Sequence, residues 1–202
     1  MRLRELLTSN TQPVNEAGVA FIERCRACVA KIRSLAAPDE QRIIDNVKVE
    51  LTGANDPDKI YSYVRSQRVV VDQEEFADAP IEVLLWLIGH ELAHIIKQHN
   101  SDSPQQSQQQ ELDADTWASQ IMGKIGITKI PVFTWLGRRK DHMGRLELDR
   151  RYELERDPNN ADILKGFSHP TMDQRKQNAA KVGVELSKAN TDQIDWLISH
   201  MA

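Results

Sequence analysis

The chain has 202 residues, of which 40% are hydrophobic and 28% are charged, so it is long enough to bury one sizeable core and is not disordered. Its formal net charge is -4 at pH 7, which argues against a dedicated nucleic-acid binder. No apolar stretch approaches the ~20 residues of a spanning helix, and the basic start lacks the apolar core of a secretory signal. We therefore expect one soluble, cytoplasmic domain over 1–202 without transmembrane segments.

Residues 1–58 are predicted to form an N-terminal helical part. Between 15 and 36 the apolar residues recur at helical spacing, with charged residues around them. A break at Pro38 precedes a second helical stretch that runs through Ile44. Residues 53–57 are a cluster of turn-forming residues, which closes this part of the chain.

Cys25 and Cys28 form a C-x-x-C pair, a spacing found in both redox and metal-binding proteins. Redox pairs usually lie at a helix N-terminus, where the pKa of the thiol is lowered, whereas this pair lies inside a predicted helix on its apolar stripe. One C-x-x-C pair also supplies only half of a structural zinc site. We therefore interpret both cysteines as buried, reduced core residues.

Residues 60–180 are predicted to contain the functional core of the domain. Alternating and β-branched residues over 60–72 indicate strands, and Pro80 near a helix start opens a long helix that runs to about residue 98. The polar, glutamine-rich stretch 100–110 is predicted to be a loop, and Glu111 to start the next helix. A strand-like segment thus precedes the long helix directly.

The remaining elements are read from weaker signals. Within the mixed segment 127–167, the basic run 138–140 is interpreted as a solvated surface. Residues 168–171 predict a turn into a helix, and a final helix is predicted within 185–202. Helices outnumber strands throughout, so we expect an α-rich α+β domain with one small sheet.

The long predicted helix carries His90-Glu91-Leu92-Ala93-His94, which fits the pattern H-E-x-x-H. Residues four apart share a helix face, so both imidazoles can reach one metal ion. Glu91 lies beside that face, where it can take a proton from an attacking water molecule. The flanking residues are apolar and predict a buried helix, in which an idle His-Glu-His triple would be costly. The motif therefore indicates a metal site rather than a helix surface patch.

A second acidic motif, Glu111-Leu112-Asp113-Ala114-Asp115, follows downstream. Glu111 and Asp115 are also four apart, so both can face the histidines, whereas Asp113 points off the shared face. A tetrahedral catalytic zinc ion needs three protein ligands, and Glu111 supplies the third. Asp115 can accept the second ring N–H of a ligating histidine, which fixes its tautomer.

The order of these motifs resembles a known class of enzyme. H-E-x-x-H followed by E-x-x-x-D is similar to the pattern of the gluzincin metallopeptidases. His169-Pro170 with Arg175 is similar to the H-P-x-x-x-x-R segment of one gluzincin family. That family contains the CAAX prenyl endopeptidases, the inner-membrane peptidase HtpX and periplasmic quality-control peptidases. The resemblance covers about residues 60–180.

The resemblance implies a zincin fold, in which a sheet with an edge strand precedes the H-E-x-x-H helix, and a zinc endopeptidase activity. It also implies a role for each motif residue, namely His90, His94 and Glu111 as zinc ligands, Glu91 as general base, Asp115 as a support for a ligating histidine, His169 facing the oxyanion and Arg175 as an orienting residue. Two departures from the family are expected. The sequence predicts neither the membrane helices nor the export signals of these members, and the predicted loop between the two zinc helices is short and glutamine-rich.

We therefore expect one zinc ion per chain and a peptide or protein substrate, bound in an extended form along an edge strand near residues 68–72. Two alternatives remain open, namely a regulatory metallopeptidase that cleaves repressors and a non-proteolytic zinc-domain scaffold or chaperone. His99, His142 and His200 have no partner in the pattern and are expected to be solvated. The sequence does not decide the substrate or the oligomeric state.

Overall fold

A helix-rich α+β arrangement surrounds one long buried helix in this computed structural model, which describes residues 16–52, 60–132 and 169–186. The helices are α1 (Glu16–Leu35), α2 (Pro38–Ile44), α3 (Gln73–Phe76), α4 (Ile81–Ile96), α5 (Pro104–Lys124) and α6 (Met172–Ala180). The strands are β1 (Lys48–Leu51), β2 (Ile60–Tyr63), β3 (Arg68–Val71), β4 (Lys129–Ile130) and β5 (Glu185–Leu186). The predicted α-rich α+β class is confirmed.

Several predicted features lie outside the described residues. They are the turn at 53–57, the basic run 138–140, His142, the final helix and His200. The proposal that 1–202 forms a single domain also stays a prediction. Among the described helices, none combines the length and apolar character needed to cross a membrane.

The described strands form two sheets rather than the single sheet predicted, because β4 and β5 pair in parallel apart from the others. The larger sheet has the strand order β1-β3-β2, so the prediction of an edge strand at Arg68–Asp72 is wrong. β3 pairs in parallel with β1 on one side and antiparallel with β2 on the other. Its residues Val69, Val70 and Val71 are buried, as expected of a continuous apolar run in a central strand. The sequence prediction missed β1, a short strand directly after α2. The edge strand that packs against α4 is β2.

Helix α4 forms the centre of the core, and almost all of its residues are buried. It packs against α1, α5 and β2. A Cβ atom added at Gly89 would lie 3.5 Å from the Cβ of Ala118 on α5 and 3.9 Å from the Cδ1 of Ile32 on α1. These are ordinary van der Waals distances, so α4 packs directly against α5 and α1 one residue before His90.

Helix α5 begins at Pro104, so the prediction that residues 100–110 form a loop and that Glu111 starts the helix is wrong. Ser103 caps the helix by accepting a hydrogen bond from the backbone N–H of Gln106 at 3.2 Å, and Pro104 suits the first helical turn. Glutamine is itself a good helix former. Glu111 thus lies about two turns inside α5, where the dipole of the helix start no longer accounts for it.

The C-terminal described segment packs back onto α5. Thr171 caps α6 in a reciprocal pair with Gln174, so the helix cap is Thr171 rather than the neighbouring His169. Asn178 of α6 donates to the backbone oxygen of Leu112 and to the hydroxyl of Thr116, both at 2.6 Å. These bonds fix α6 across the middle of α5, close to its acidic motif.

Candidate metal centre

His90, His94 and Glu111 converge where α4 faces α5. The two Nε2 atoms lie 3.1 Å apart. That of His90 is 3.3 Å from Oε2 of Glu111, and that of His94 is 3.3 Å from its Oε1. Among the described residues these three form a group that can hold a metal ion. The helical spacing of the histidines brings their rings together, and the packing of α4 against α5 brings Glu111 to them.

Glu91 lies on α4 beside the histidines and is 9% exposed. It is not part of the group of three metal-binding side chains. Its carboxylate is close enough to Arg175 for the two charges to interact. A nearly buried carboxylate next to the metal-binding group, but not within it, is available for proton transfer.

Asp115, whose side chain is fully buried, connects His90 to Arg175. Its Oδ1 lies 2.9 Å from Nδ1 of His90, so the ring nitrogen that does not face Glu111 has a carboxylate partner. Arg175 donates from Nε and Nη2 to the two oxygens of Asp115, each at 2.7 Å. Such a bidentate pair fixes the plane of the carboxylate, and that plane fixes the ring of His90.

The electrostatic field of the site favours bound positive charge. Burial opposes a charge on His90, but hydrogen bonds to Asp115 and Glu111 outweigh it and raise the pKa of the ring to about 10. Burial also opposes ionisation of Glu111, yet hydrogen bonds from His169, His90 and His94 hold the pKa of its carboxyl far below its usual range. The carboxylates would stabilise a metal cation in the same way as they stabilise a proton on His90.

His169 lies at the solvent side of this group. Its Nδ1 is 3.1 Å from Oε2 of Glu111, and 54% of its side chain is exposed. The segment before α6 therefore brings it to the third predicted metal ligand, although it follows Glu111 by more than fifty residues in the sequence. A substrate molecule can reach a ring exposed to this extent.

His99 is not solvated, so that prediction is wrong. Only 9% of its side chain is exposed, and its Nδ1 lies 2.9 Å from Nδ1 of His94. Its Nε2 lies 3.4 Å from Oδ2 of Asp113, whose other oxygen pairs with Nζ of Lys97 at 2.7 Å. Burial is the main factor that lowers the pKa of His99.

The contact between His94 and His99 lies outside the sequence motifs. Asp113 points off the face of Glu111 and Asp115, as predicted, but it does so toward His99. The contact depends on how the backbone turns after α4, where Gln98 has a positive φ of 54°. Glutamine rarely marks such a position, since glycine or asparagine usually occupies it.

The sequence profile of the Peptidase U49 family matches residues 9–128. The chain therefore belongs to the Peptidase U49 family, and it is a peptidase by this relationship. The matched range includes the H-E-x-x-H motif, Glu111 and Asp115 and ends before His169. No curated protein and no solved structure matches the chain.

Proposed function

We propose that this peptidase is a zinc-dependent endopeptidase in which His90, His94 and Glu111 hold the metal ion. The observation that carries the proposal is the convergence of their donor atoms. The two Nε2 atoms lie 3.1 Å apart and each lies 3.3 Å from a different oxygen of Glu111, and one ligand atom from each residue lies within 4.8 Å of the others. Tetrahedral ligation at about 2.0 Å requires donors about 3.3 Å apart. Two imidazoles and one carboxylate are also the donor set of many catalytic zinc sites, which leave a fourth position open.

A zinc ion held by His90, His94 and Glu111 would supply a Lewis acid, which polarises a carbonyl and lowers the pKa of a water molecule to about 7. Glu91 takes the proton from the attacking water and passes it to the amine that leaves. It suits both steps because it lies beside the metal-binding side chains without belonging to them, and because it is nearly buried.

The remaining polar residues position these groups. Asp115 accepts the Nδ1–H of His90 and leaves Nε2 unprotonated for the metal ion. Arg175 holds Asp115 in place through its bidentate pair. His169 lies next to Glu111 and is exposed to an incoming substrate, so we assign it the stabilisation of the oxyanion, where one donor typically contributes ~10²–10³ in rate.

The substrate is a peptide segment that binds in an extended form along β2. Among the described strands it lies at an edge of the sheet, and it packs against α4, so we assign its outer side the pairing with an added strand. β2 replaces the segment Arg68–Asp72 in this role, because β3 already has a partner on each side.

The resemblance to gluzincins of the HtpX type remains part of the proposal. Its first two motifs lie within the range matched by the Peptidase U49 family, whereas His169 and Arg175 lie beyond it. The contact of His169 with Glu111 and that of Arg175 with Asp115 support the third motif. The cytoplasmic location expected from the sequence stays a prediction.

The decisive experiment compares Glu91→Gln with the wild-type chain. The amide keeps the shape of the side chain but cannot accept the proton of water at neutral pH, so cleavage of a mixed peptide library falls close to background. Metal analysis still finds about one zinc ion per chain, and a strong chelator abolishes the wild-type cleavage. Glu74→Gln makes the same chemical change at an exposed position of α3 and retains activity.

The outcomes separate this proposal from the alternatives. Full biological activity of Glu91→Gln would favour a scaffold or chaperone, since binding does not need a base. A His169→Ala variant should lose ~10²–10³ in kcat with little change in KM. Full activity of His169→Ala would contradict the resemblance to the HtpX-type family and favour a peptidase that cleaves repressors.

A further inference from the structure

His94 and His99 meet through their Nδ1 atoms, a contact that has no role in the proposed mechanism. His90 meets a carboxylate directly through Nδ1, at 2.9 Å from Asp115. His94 instead meets the Nδ1 of a second imidazole, also at 2.9 Å. The two metal-binding histidines therefore have different partners, and the partner of His94 belongs to none of the motifs.

The end of α4 places His99 over His94 through its backbone. The N–H of His99 donates to the oxygen of His94 at 3.0 Å, and the N–H of Gln98 donates to the oxygen of Ile95 at 3.3 Å. This pair of bonds is the Schellman motif, with Gln98 in the left-handed conformation. The motif brings the side chains of its first and last residues together, and the two imidazoles lie with centroids 4.9 Å apart.

The left-handed residue of this motif is strained. An L-residue other than glycine pays a steric cost for a φ of 54°. The side chain of Gln98 offsets part of this cost by donating from Nε2 to the oxygen of Ile95 at 2.7 Å. Strain of this kind persists where the surrounding structure requires the conformation, and here the conformation sets the position of His99.

The hydrogen atoms of the two rings can then be assigned in order. Nε2 of His94 faces His90 and Glu111, so this nitrogen must be unprotonated to bind a metal ion. The proton of the neutral ring is therefore on Nδ1, which donates to Nδ1 of His99. The proton of His99 is then on Nε2, which faces Asp113.

We propose that His99, oriented by Asp113, is a positioning residue that fixes the ring and the tautomer of His94 for metal binding. This inference rests on the proposed zinc site. Nζ of Lys97 holds the carboxylate of Asp113 at 2.7 Å. The hydrogen-bonded series that starts at His94 and passes through His99 therefore ends at a carboxylate, whereas His90 contacts the carboxylate of Asp115 directly. The arrangement gives each metal-binding histidine an oriented acceptor on its outer nitrogen, which typically contributes 10–100-fold to metal affinity.

The test compares two variants at the same position. In His99→Leu no acceptor faces Nδ1 of His94, whereas the amide oxygen of His99→Asn can take the place of the ring Nδ1. We expect zinc affinity, measured by competition with a chelator, to fall by about 10–100-fold in His99→Leu and to be largely restored in His99→Asn. The visible spectrum of the cobalt-loaded protein should change in His99→Leu and return toward wild type in His99→Asn. Asp102→Asn, at an exposed residue of the following loop, is the control.

The result that would overturn this inference is equal zinc affinity in His99→Leu and the wild type. A loss of affinity that is the same in both variants would also overturn it, because it would show that the ring acts only through packing. Circular dichroism and thermal unfolding of the metal-free variants check that the fold is intact. If the wild-type chain itself binds no zinc, the proposed function fails first and this inference fails with it.

Discussion

Two pairs of potential metal ligands lie on neighbouring helices of this protein, and their surroundings differ completely. Cys25 and Cys28 on α1 are fully buried in the apolar core, and burial raises the pKa of both thiols to about 12. His90 and His94 on α4 are also largely buried, but polar side chains from α5 and from the segment before α6 surround them.

The comparison shows that ligand spacing alone does not define a metal site. Both pairs satisfy helical spacing, and both lie on elements that pack against each other. The histidines have a third donor in Glu111 and an outer partner for each ring, whereas the described contacts of the cysteines are with the hydrophobic core. A buried thiol with a raised pKa stays protonated, and a protonated thiol is neither a nucleophile nor a metal ligand.

The largest effect is expected when each pair of side chains is removed in turn. His90→Ala combined with His94→Ala should abolish zinc binding, and zinc should no longer raise the melting temperature, because metal binding stabilises only the folded state. Cys25→Ser combined with Cys28→Ser should keep about one zinc ion per chain. Metal analysis after dialysis measures both. Stoichiometric zinc in the histidine variant would contradict the ligand assignment.

A smaller effect is expected when the outer partner of His90 is changed. Asp115→Asn keeps the shape but removes the charge that faces His90 and Arg175, so zinc affinity should fall by about 10–100-fold. The variant also leaves the guanidinium of Arg175 without its carboxylate, which should lower the free energy of unfolding by about 3 kcal/mol. Chelator competition and urea unfolding measure the two effects.

The two effects of Asp115→Asn can be separated with a second change. Arg175→Met combined with Asp115→Asn removes the unpaired charge, so much of the lost stability should return. Zinc affinity should stay low, because His90 still lacks its carboxylate partner. If affinity returns together with stability, Asp115 supports the fold of the site rather than the ring of His90.

The parts of the site that local periodicity controls were predicted from the sequence. The shared face of His90 and His94 follows from the helical repeat, and so does the proximity of Glu111 to Asp115. The buried state of Cys25 and Cys28 was also predicted correctly, because they lie on an apolar stripe.

The parts that depend on distant pairing or on a rare backbone conformation were missed. The central position of β3 depends on β1, about twenty residues earlier in the chain. The start of α5 was hidden because a glutamine-rich run suggests a loop by its composition but forms a helix once Ser103 caps it. The contact of His99 with His94 depends on the left-handed conformation of Gln98, which nothing in the local sequence indicates.

The smallest expected effect concerns the thiols themselves. With a pKa of about 12, a thiolate fraction on the order of one in ten thousand is expected at pH 8, so a thiol reagent such as Ellman's reagent should not label the native protein. Both cysteines should react once the chain is unfolded in guanidinium chloride. Because the thiols are not ligands, the absence of native labelling should be the same with and without zinc. Rapid labelling of the native, zinc-loaded protein would mean that the cysteines are accessible and partly ionised, and the distinction between the two pairs would then have to be abandoned.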